Sequence, residues 1–178
     1  MAFSMKTRRE ILDWIFSICL AIILSLLIRQ FLFQPCQVKM SSMFPTLKEN
    51  EMILVNKLEY RLHQPKRGDI VVFHSPFAKE SYVKRVIGLP GEEIEIRNGI
   101  VFINGEKVEE SYLTTETRGN YGPIQISLSE IFVMGDNRGN SMDSREFGPI
   151  LLNSVIGKAT MVYWPLKEYK TLTYASVK

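Results

Sequence analysis

The chain has 178 residues, 46% of them hydrophobic, and its 22 basic and 19 acidic residues give a formal net charge of +3. This length and apolar content suffice for one domain with a real core plus an appendage, which excludes an intrinsically disordered chain. The charge is small and scattered, and no basic block with interleaved aromatic residues occurs beyond the first ten residues. The sequence therefore predicts no nucleic-acid partner.

The first 33 residues predict a membrane anchor. Residues 1–10 are basic, and Trp14–Ile28 carries no charge. With the flanking apolar residues, 11–33 has the length of a tilted transmembrane helix, and its apolar residues surround the helix, which disfavours a buried core helix. No small-x-small cleavage site follows, so we expect an uncleaved anchor and not a removable signal peptide. The basic start should stay in the cytoplasm, which places 34–178 on the extracytoplasmic face.

The two cysteines, Cys19 and Cys36, are predicted to be unpaired. If the run between them is helical, they lie about 25 Å apart, too far for a disulfide. Two cysteines also exclude a disulfide-stapled scaffold and a four-cysteine metal site, and no cofactor or metal is expected.

After residue 36 the pattern predicts a mainly β domain with barrel or sandwich character. Asn98-Gly99 and Asn104-Gly105 are strong hairpin-turn signals, and helical turns are predicted at Leu128–Glu130 and Leu151–Val155. The predicted strands are Met52–Asn56, Ile70–His74, Tyr82–Ile87, Glu92–Arg97, Ile100–Ile103, Ile131–Met134 and Thr160–Tyr163.

Chemistry is expected in three polar clusters: Met40–Leu47, Tyr82–Gly91, and the polar loop Gly135–Arg145. In the first, Pro45 favours an ordered loop or strand end and disfavours a helix. In the second, Lys84 and Arg85 point to opposite faces of a strand, and taken alone they favour two solvated cations on an edge strand.

The polar loop contains opposite charges that suit internal salt bridges around a site, although a simple surface turn is the alternative. We expect two asparagines in it, Asn137 and Asn140, to bond their own backbone. The charges are Asp136, Arg138, Asp143 and Arg145.

Other hydrolase sites fit poorly. A Ser-His-Asp triad would need His63 or His74, but no G-x-S-x-G turn is present, and both histidines are more simply surface or strand residues. There is no H-E-x-x-H for a metal hydrolase. Ser81-x-x-Lys84 formally matches a penicillin-binding signature, but that signature belongs on a helix and no K-T-G follows.

Taken together, the clusters resemble the type I signal peptidases, membrane-bound serine-lysine proteases, in their single-anchor Gram-positive form. Ser42-Met43-Phe44-Pro45-Thr46-Leu47 is similar to the family's S-M-x-P-T-L segment, and Arg67–Val72 to its R-G-D-[IV]-V strand. Tyr82–Gly91 resembles its lysine segment, and the polar loop resembles G-D-N-R-x-N-S-x-D-S-R.

The resemblance implies roles for individual residues. Ser42, in preference to Ser41, would be the nucleophile and Lys84 the general base. Ser141 would orient the lysine amine, and four charges would form the scaffold of the site: Asp136, Arg85, Asp143 and Arg145. Burial must lower the lysine pKa, and Val83, Val86 and Ile87 are expected to supply the apolar surroundings.

At Met40 the sequence departs from the family, where some members place a serine whose hydroxyl helps to form the oxyanion hole. Met40 supplies no such donor, which also puts the local backbone geometry in question. Trp164-Pro165-Leu166 and Phe31–Phe33 could form apolar surface at the lipid interface, with core packing as the alternative for Trp164.

The implied partners are preproteins with small residues before the cut, the lipid bilayer and the secretion translocon. The alternatives are an inactive, membrane-tethered chaperone or assembly factor with the same fold, and a self-cleaving serine-lysine repressor protease, which the anchor disfavours. An inactive relative would be expected to lack Ser42 or Lys84.

Overall fold

The first element is a long apolar helix. The computed structural model describes residues 5–77, 80–114 and 116–172. Helix α1 covers Met5–Phe31, about 40 Å of axial length at 1.5 Å per residue, and no Gly or Pro interrupts it. Its segment Arg8–Phe31 is long and apolar enough to cross a membrane, and none of it is buried against the rest of the protein. The helix includes part of the basic start and ends before Phe33, which already belongs to a strand.

The remaining described residues are mainly β. Two short helices follow, α2 (Glu59–Leu62) and α3 (Ser144–Phe147), together with 3-10 turns at Ser41–Met43, Leu152–Ser154 and Leu166–Glu168. The strands are β1 (Phe33–Gln37), β2 (Met52–Asn56), β3 (Ile70–His74), β4 (Ser81–Gly88), β5 (Glu93–Arg97), β6 (Ile100–Ile103), β7 (Glu106–Lys107), β8 (Tyr121–Gln125), β9 (Glu130–Met134), β10 (Ile150–Leu151), β11 (Val155–Trp164) and β12 (Lys170–Thr171).

The strands form two antiparallel sheets. The larger has the order β1-β2-β11-β3-β4-β9-β10, with β12 paired to β11, and the smaller has the order β7-β6-β5-β8. Strand β4 is interior, because β3 and β9 pair with its two sides. The prediction of a mainly β protein behind one N-terminal apolar helix is confirmed.

All seven predicted strands are present, and two of the strands that the sequence analysis missed share a cause. Strands β1 and β8 contain Pro35 and Pro123, and proline argues against a central strand. Both are edge strands, where an amide that cannot donate is tolerated. The predicted strand Thr160–Tyr163 is the central part of the ten-residue β11.

The predicted turns are present, although one of them is not helical. Asn98 and Gly99 have φ of 50° and 80°, and Asn104 and Gly105 have 51° and 81°, so both tight turns form where expected. A helical turn occupies Leu152–Ser154 as expected. A turn also forms at Leu128–Glu130, where the Glu130 N–H donates to the Ser127 carbonyl at 3.1 Å, but it is not part of a helix and Glu130 opens β9.

Three buried clusters form the core, and β4 connects them. Ile87 packs with the smaller sheet, Val86 packs with Val71 and Phe73, and Val83 packs against the cluster around Met43 and β2. This interior position makes β4 a rigid support for any side chain that it presents to a site.

Candidate active site

Ser42 lies in the serine turn, the 3-10 turn Ser41–Met43 between β1 and β2. The sequence predicted no helix here, and this single turn is the difference. Pro45 still acts as expected, since Phe44 before it is extended at φ −65° and ψ 139°. Met43 and Leu47 are fully buried and fix the turn to the core, so the position of Ser42 is well defined.

Lys84 reaches Ser42 from the centre of β4. It lies directly opposite Val71 in β3, is 1% exposed, and its Nζ donates a hydrogen bond of 2.8 Å to Ser42 Oγ. The sequence separates the two residues by 42 positions, and the sheet brings them into contact.

The expectation that Lys84 and Arg85 are solvated on an edge strand is wrong. Both side chains are buried, because β4 is interior to the sheet and other segments lie over its faces: the serine turn contacts Lys84, and Asp136 and Tyr112 lie against Arg85. Arg85 makes hydrogen bonds of 2.9 and 2.6 Å to Asp136, while Lys84 bonds to Ser42. The alternation of the strand thus sends the two cations to different partners.

Burial lowers the pKa of Lys84 from 10.5 to about 8, because a desolvated ammonium is disfavoured. The charge of Asp143 opposes this effect and that of Arg145 adds to it. Near neutral pH about one molecule in ten then carries a neutral amine, against about one in 2,500 for an unperturbed lysine.

Ser141 is close to this pair but is not hydrogen-bonded to the lysine. Its hydroxyl is buried, makes no hydrogen bond of normal geometry within the described residues, and contributes to the electrostatics of Asp143 nearby. Gly135 lies between the two serines: a Cβ there would be 2.2 Å from Ser141 Oγ and 2.5 Å from the Ser42 carbonyl oxygen. Only glycine lets the polar loop approach the serine turn this closely.

The side chains of the two asparagines in the polar loop bond to the serine turn, so the expectation that they bond to their own backbone is wrong. The Asn137 backbone N–H donates to the Ser42 carbonyl at 3.0 Å, and its side chain donates to the Ser41 carbonyl at 3.2 Å. Asn140 donates to Ser41 Oγ at 3.1 Å. Ser41 therefore serves as an anchor point for the loop.

Ion pairs stiffen the polar loop, as its sequence predicted. Besides the Arg85–Asp136 pair, Arg145 contacts Asp143 through two bonds of 2.8 and 2.9 Å, and Asp143 also accepts from the Gly135 N–H at 2.9 Å. Burial raises the pKa of Asp143, but the hydrogen bonds and charge of Arg145 outweigh it and hold that pKa below its usual value.

The sequence analysis missed Glu110 and Tyr112, which complete this network. Glu110 forms the ion pair with Arg138, and the Tyr112 ring lies 4.0 Å from the guanidinium carbon of Arg85. Both lie in the segment between β7 and β8, where an acidic residue looks like ordinary solvated loop. No local motif could have identified them, because their partners are more than 20 residues away.

A groove of about 360 Å³ opens onto the serine and the lysine. One wall is the end of β1 with the following residues to Met40, and the other is the start of β4. An exposed ion pair of 3.1 Å between Lys39 and Glu80 joins the walls. Met40 is extended, at φ −132° and ψ 159°, a geometry that any residue adopts, so its backbone is ordinary.

The remaining predicted residues are placed as follows. Cys19 and Cys36 are free, and Cys36 lines the groove. His63 and His74 are exposed. Trp164 is 54% exposed, so the alternative of core packing is wrong for it.

In the part of the chain that the structure describes, one apolar helix and two antiparallel sheets accompany a buried contact between a serine and a lysine. Together with the sequence relatives that follow, this fold defines a class of protein: a β-sheet serine-type peptidase with an N-terminal apolar helix. Residues 11–164 match the sequence profile of the family described as signal peptidase, peptidase S26. The chain belongs to this family.

Individual relatives agree. The chain is 40% identical to signal peptidase I T of Bacillus subtilis over 176 residues, covering 93% of this chain and 91% of that protein. It is 41% identical to signal peptidase I of Bacillus amyloliquefaciens over 169 residues, covering 89% and 88%. The crystal structure of a signal peptidase I from Enterococcus faecalis is similar with a TM-score of 0.51 at 34% identity, covering 55% of this chain and 98% of that one.

Proposed function

We propose that the protein is a membrane-bound endopeptidase that removes signal peptides from exported preproteins, with Ser42 as the nucleophile and Lys84 as the general base. The observation that carries this proposal is the 2.8 Å contact between Nζ and Oγ in a buried setting that lowers the lysine pKa to about 8. A serine hydroxyl needs an adjacent base, and a lysine acts as one only when its amine is neutral. The contact between the two side chains supports the first condition, and the lowered pKa of Lys84 supports the second.

The reaction follows from this pair. The neutral Lys84 amine accepts the Ser42 hydroxyl proton as Oγ bonds to the carbonyl carbon before the cut, and the carbonyl electron pair moves to oxygen. Collapse breaks the carbon–nitrogen bond, and the Lys84 ammonium gives its proton to the leaving amine. A water then attacks the Ser42 ester, loses its proton to Lys84, and the released Ser42 oxygen recovers that proton.

The surroundings support these steps. The Ser42 N–H is in the first turn of a 3-10 helix and has no intrahelical partner, so it is available to the developing oxyanion. The Ser141 hydroxyl is buried without a hydrogen-bond partner among the described residues and lies, with the Ser42 carbonyl, beside Gly135, which supports its proposed orienting role. The ion pairs of Asp136 and Asp143 with their arginines stiffen the polar loop, and the loop holds the serine turn in position.

The groove is suited to an extended peptide. Residues Gln37–Met40 and Glu80–Val83 are two extended walls that flank Ser42 and Lys84. A peptide strand between them can bond to backbone on both sides, and the limited volume near the serine favours small residues before the cut. We propose preproteins as the substrate class, delivered from the translocon.

The location of the site follows from the anchor. We propose that 11–33 spans the cell membrane with 1–10 in the cytoplasm and 34–178 on the extracytoplasmic face. Strand β1 begins two residues after α1 ends, so the short connection holds the groove close to the bilayer where signal peptides emerge.

The test uses the full chain in detergent or lipid with a preprotein that carries a small residue before the cut. We expect cleavage by the unaltered chain and loss of cleavage in Ser42→Ala and Lys84→Ala with the fold retained. Ser41→Ala should cleave at a reduced but measurable rate, because it loses only the bond from Asn140, and Ser111→Ala, at an exposed serine outside the groove, should cleave normally. Cleavage should rise with pH through about 8 as Lys84 loses its proton. Full activity of Lys84→Ala would refute the lysine as the general base, whereas no activity in the unaltered chain would favour the inactive chaperone.

A further inference from the structure

A second cavity lies at the junction between α1 and the β domain, away from the serine. It has a volume of about 680 Å³. Three apolar residues of α1 form one part of its wall: Ile23, Leu26 and Leu27. The rest of the wall is formed by Arg29, Gln30, Phe31, Gln34 and Lys57. The cavity is therefore apolar on the side of the anchor and cationic at its end.

The cationic end is assembled from separate segments of the chain. Arg29 comes from the last turn of α1, and Lys57 follows β2, where its Nζ donates to the Gln30 carbonyl at 3.1 Å. Arg61, in α2, lies 5.6 Å from the centre of the Phe31 ring. No carboxylate lines the cavity within the described residues, and the acid nearest in sequence to Lys57 is Glu59.

The favourable interaction between a cation and the last carbonyl groups of α1 explains only part of this arrangement. A cation near the last carbonyls of α1 is favourable, and Lys57 provides one. Among the residues that the structure describes, Arg29 and Arg61 have neither a hydrogen bond nor an ion pair, and Arg61 contacts only the Phe31 ring. On the proposed topology both lie on the outer side of the membrane. Positive residues are normally concentrated on the cytoplasmic side, so this cluster calls for an anionic group on the outer side.

We propose that this cavity binds an anionic phospholipid of the outer leaflet. The phosphodiester would lie between Arg29 and Lys57, and one acyl chain would run along Ile23, Leu26 and Leu27. The spacing fits, because 23, 26 and 27 lie on one face of α1, about 3 to 9 Å further into the bilayer than Arg29, and thus at the depth where acyl chains begin. This inference rests on the membrane topology given under the proposed function.

The experiment measures lipid selectivity of the full chain. Protein in detergent is titrated with equal amounts of phosphatidylglycerol and phosphatidylcholine, and bound lipid is counted by native mass spectrometry. We expect a preference for phosphatidylglycerol that falls roughly 30-fold in the Arg29→Gln, Lys57→Gln double variant, as expected for two cations near an anionic surface. The charge-preserving Arg29→Lys, Lys57→Arg variant should retain most of it.

Lys107→Gln is the matched control, because it removes one exposed cation on β7 far from α1 in sequence. It should leave the preference unchanged. Unchanged selectivity in the double glutamine variant would overturn the proposal, and so would equal competition by soluble glycerol phosphate, which would make the site a phosphate site and not a lipid site.

Preprotein cleavage by the same samples keeps the two proposals apart. Cleavage without lipid selectivity refutes only the lipid site, whereas lipid selectivity without cleavage refutes only the proposed activity.

Discussion

Replacing Lys84 with methionine should stabilise the fold near neutral pH, although it removes the proposed base. The pKa of Lys84 is about 8 in the folded protein against 10.5 for an ordinary lysine. Between these values the unfolded chain binds more protons than the folded one, so folding is penalised by the buried ammonium. The penalty is full below pH 8, fades as pH rises, and is gone above about 10.5.

The size of the effect follows from the two pKa values. They correspond to a penalty of about 3 kcal/mol at pH 7, undiminished by solvent screening because the side chain is 1% exposed. Lys84→Met keeps the approximate volume and removes the penalty, but it also loses the hydrogen bond to Ser42, worth about 1 kcal/mol. The net gain in the free energy of unfolding should be about 2 kcal/mol at pH 7, reversing to a loss of about 1 kcal/mol near pH 11.

The assay is urea unfolding of the full chain in one detergent from pH 6 to 11, followed by near-ultraviolet circular dichroism. Lys107→Met, on the exposed strand β7, is the control and should show a difference from the unaltered chain that does not vary with pH. A pH-independent difference for Lys84→Met as well would refute the reasoning, because it would mean that the lysine is not desolvated in the folded state.

Two further predictions concern the polar loop. Gly135→Ala should lower cleavage about 100-fold with a smaller effect on stability, because its Cβ would push the serine turn out of position, whereas Gly139→Ala, with nothing within 4 Å of its Cβ, should cleave normally. Equal activities of the two variants would contradict this. Asp136→Ala should reduce the free energy of unfolding by about 3–5 kcal/mol, since it leaves the guanidinium of Arg85 buried without its counter-charge. Urea unfolding measures this loss, and Glu168→Ala, in an exposed ion pair, should change little; similar losses for both would contradict the prediction.

Much of the architecture could be read from local patterns. The charge-free run predicts the long helix, alternation predicts seven strands, and Asn-Gly pairs predict tight turns, because each depends on residues that are neighbours in sequence. The sequence analysis missed the edge strands β1 and β8, because each contains a proline, and a proline is acceptable only where a strand lacks a neighbour on one side. Whether a strand has one neighbour or two is decided only when the sheet assembles.

The candidate site, too, could be predicted from the sequence only in part. The types of residue and their motifs pointed to Ser42 and Lys84, and the opposite charges of the polar loop pointed to internal ion pairs. The burial of Lys84 and Arg85 could not be read locally, because a lone pair of cations in a strand is usually solvated. It depends on the pairing of β4 with both β3 and β9 and on distant residues such as Tyr112, which lies against Arg85.

The sequence by itself determined the apolar helix, the β character of the rest and the residue types of the site, because these are encoded in short windows of hydrophobicity and turn chemistry. Only the tertiary structure decided that the lysine is desolvated and in contact with the serine. A pKa lowered to about 8 requires exclusion of water from several directions at once, and the segments that exclude it are brought together only by the pairing of the sheet.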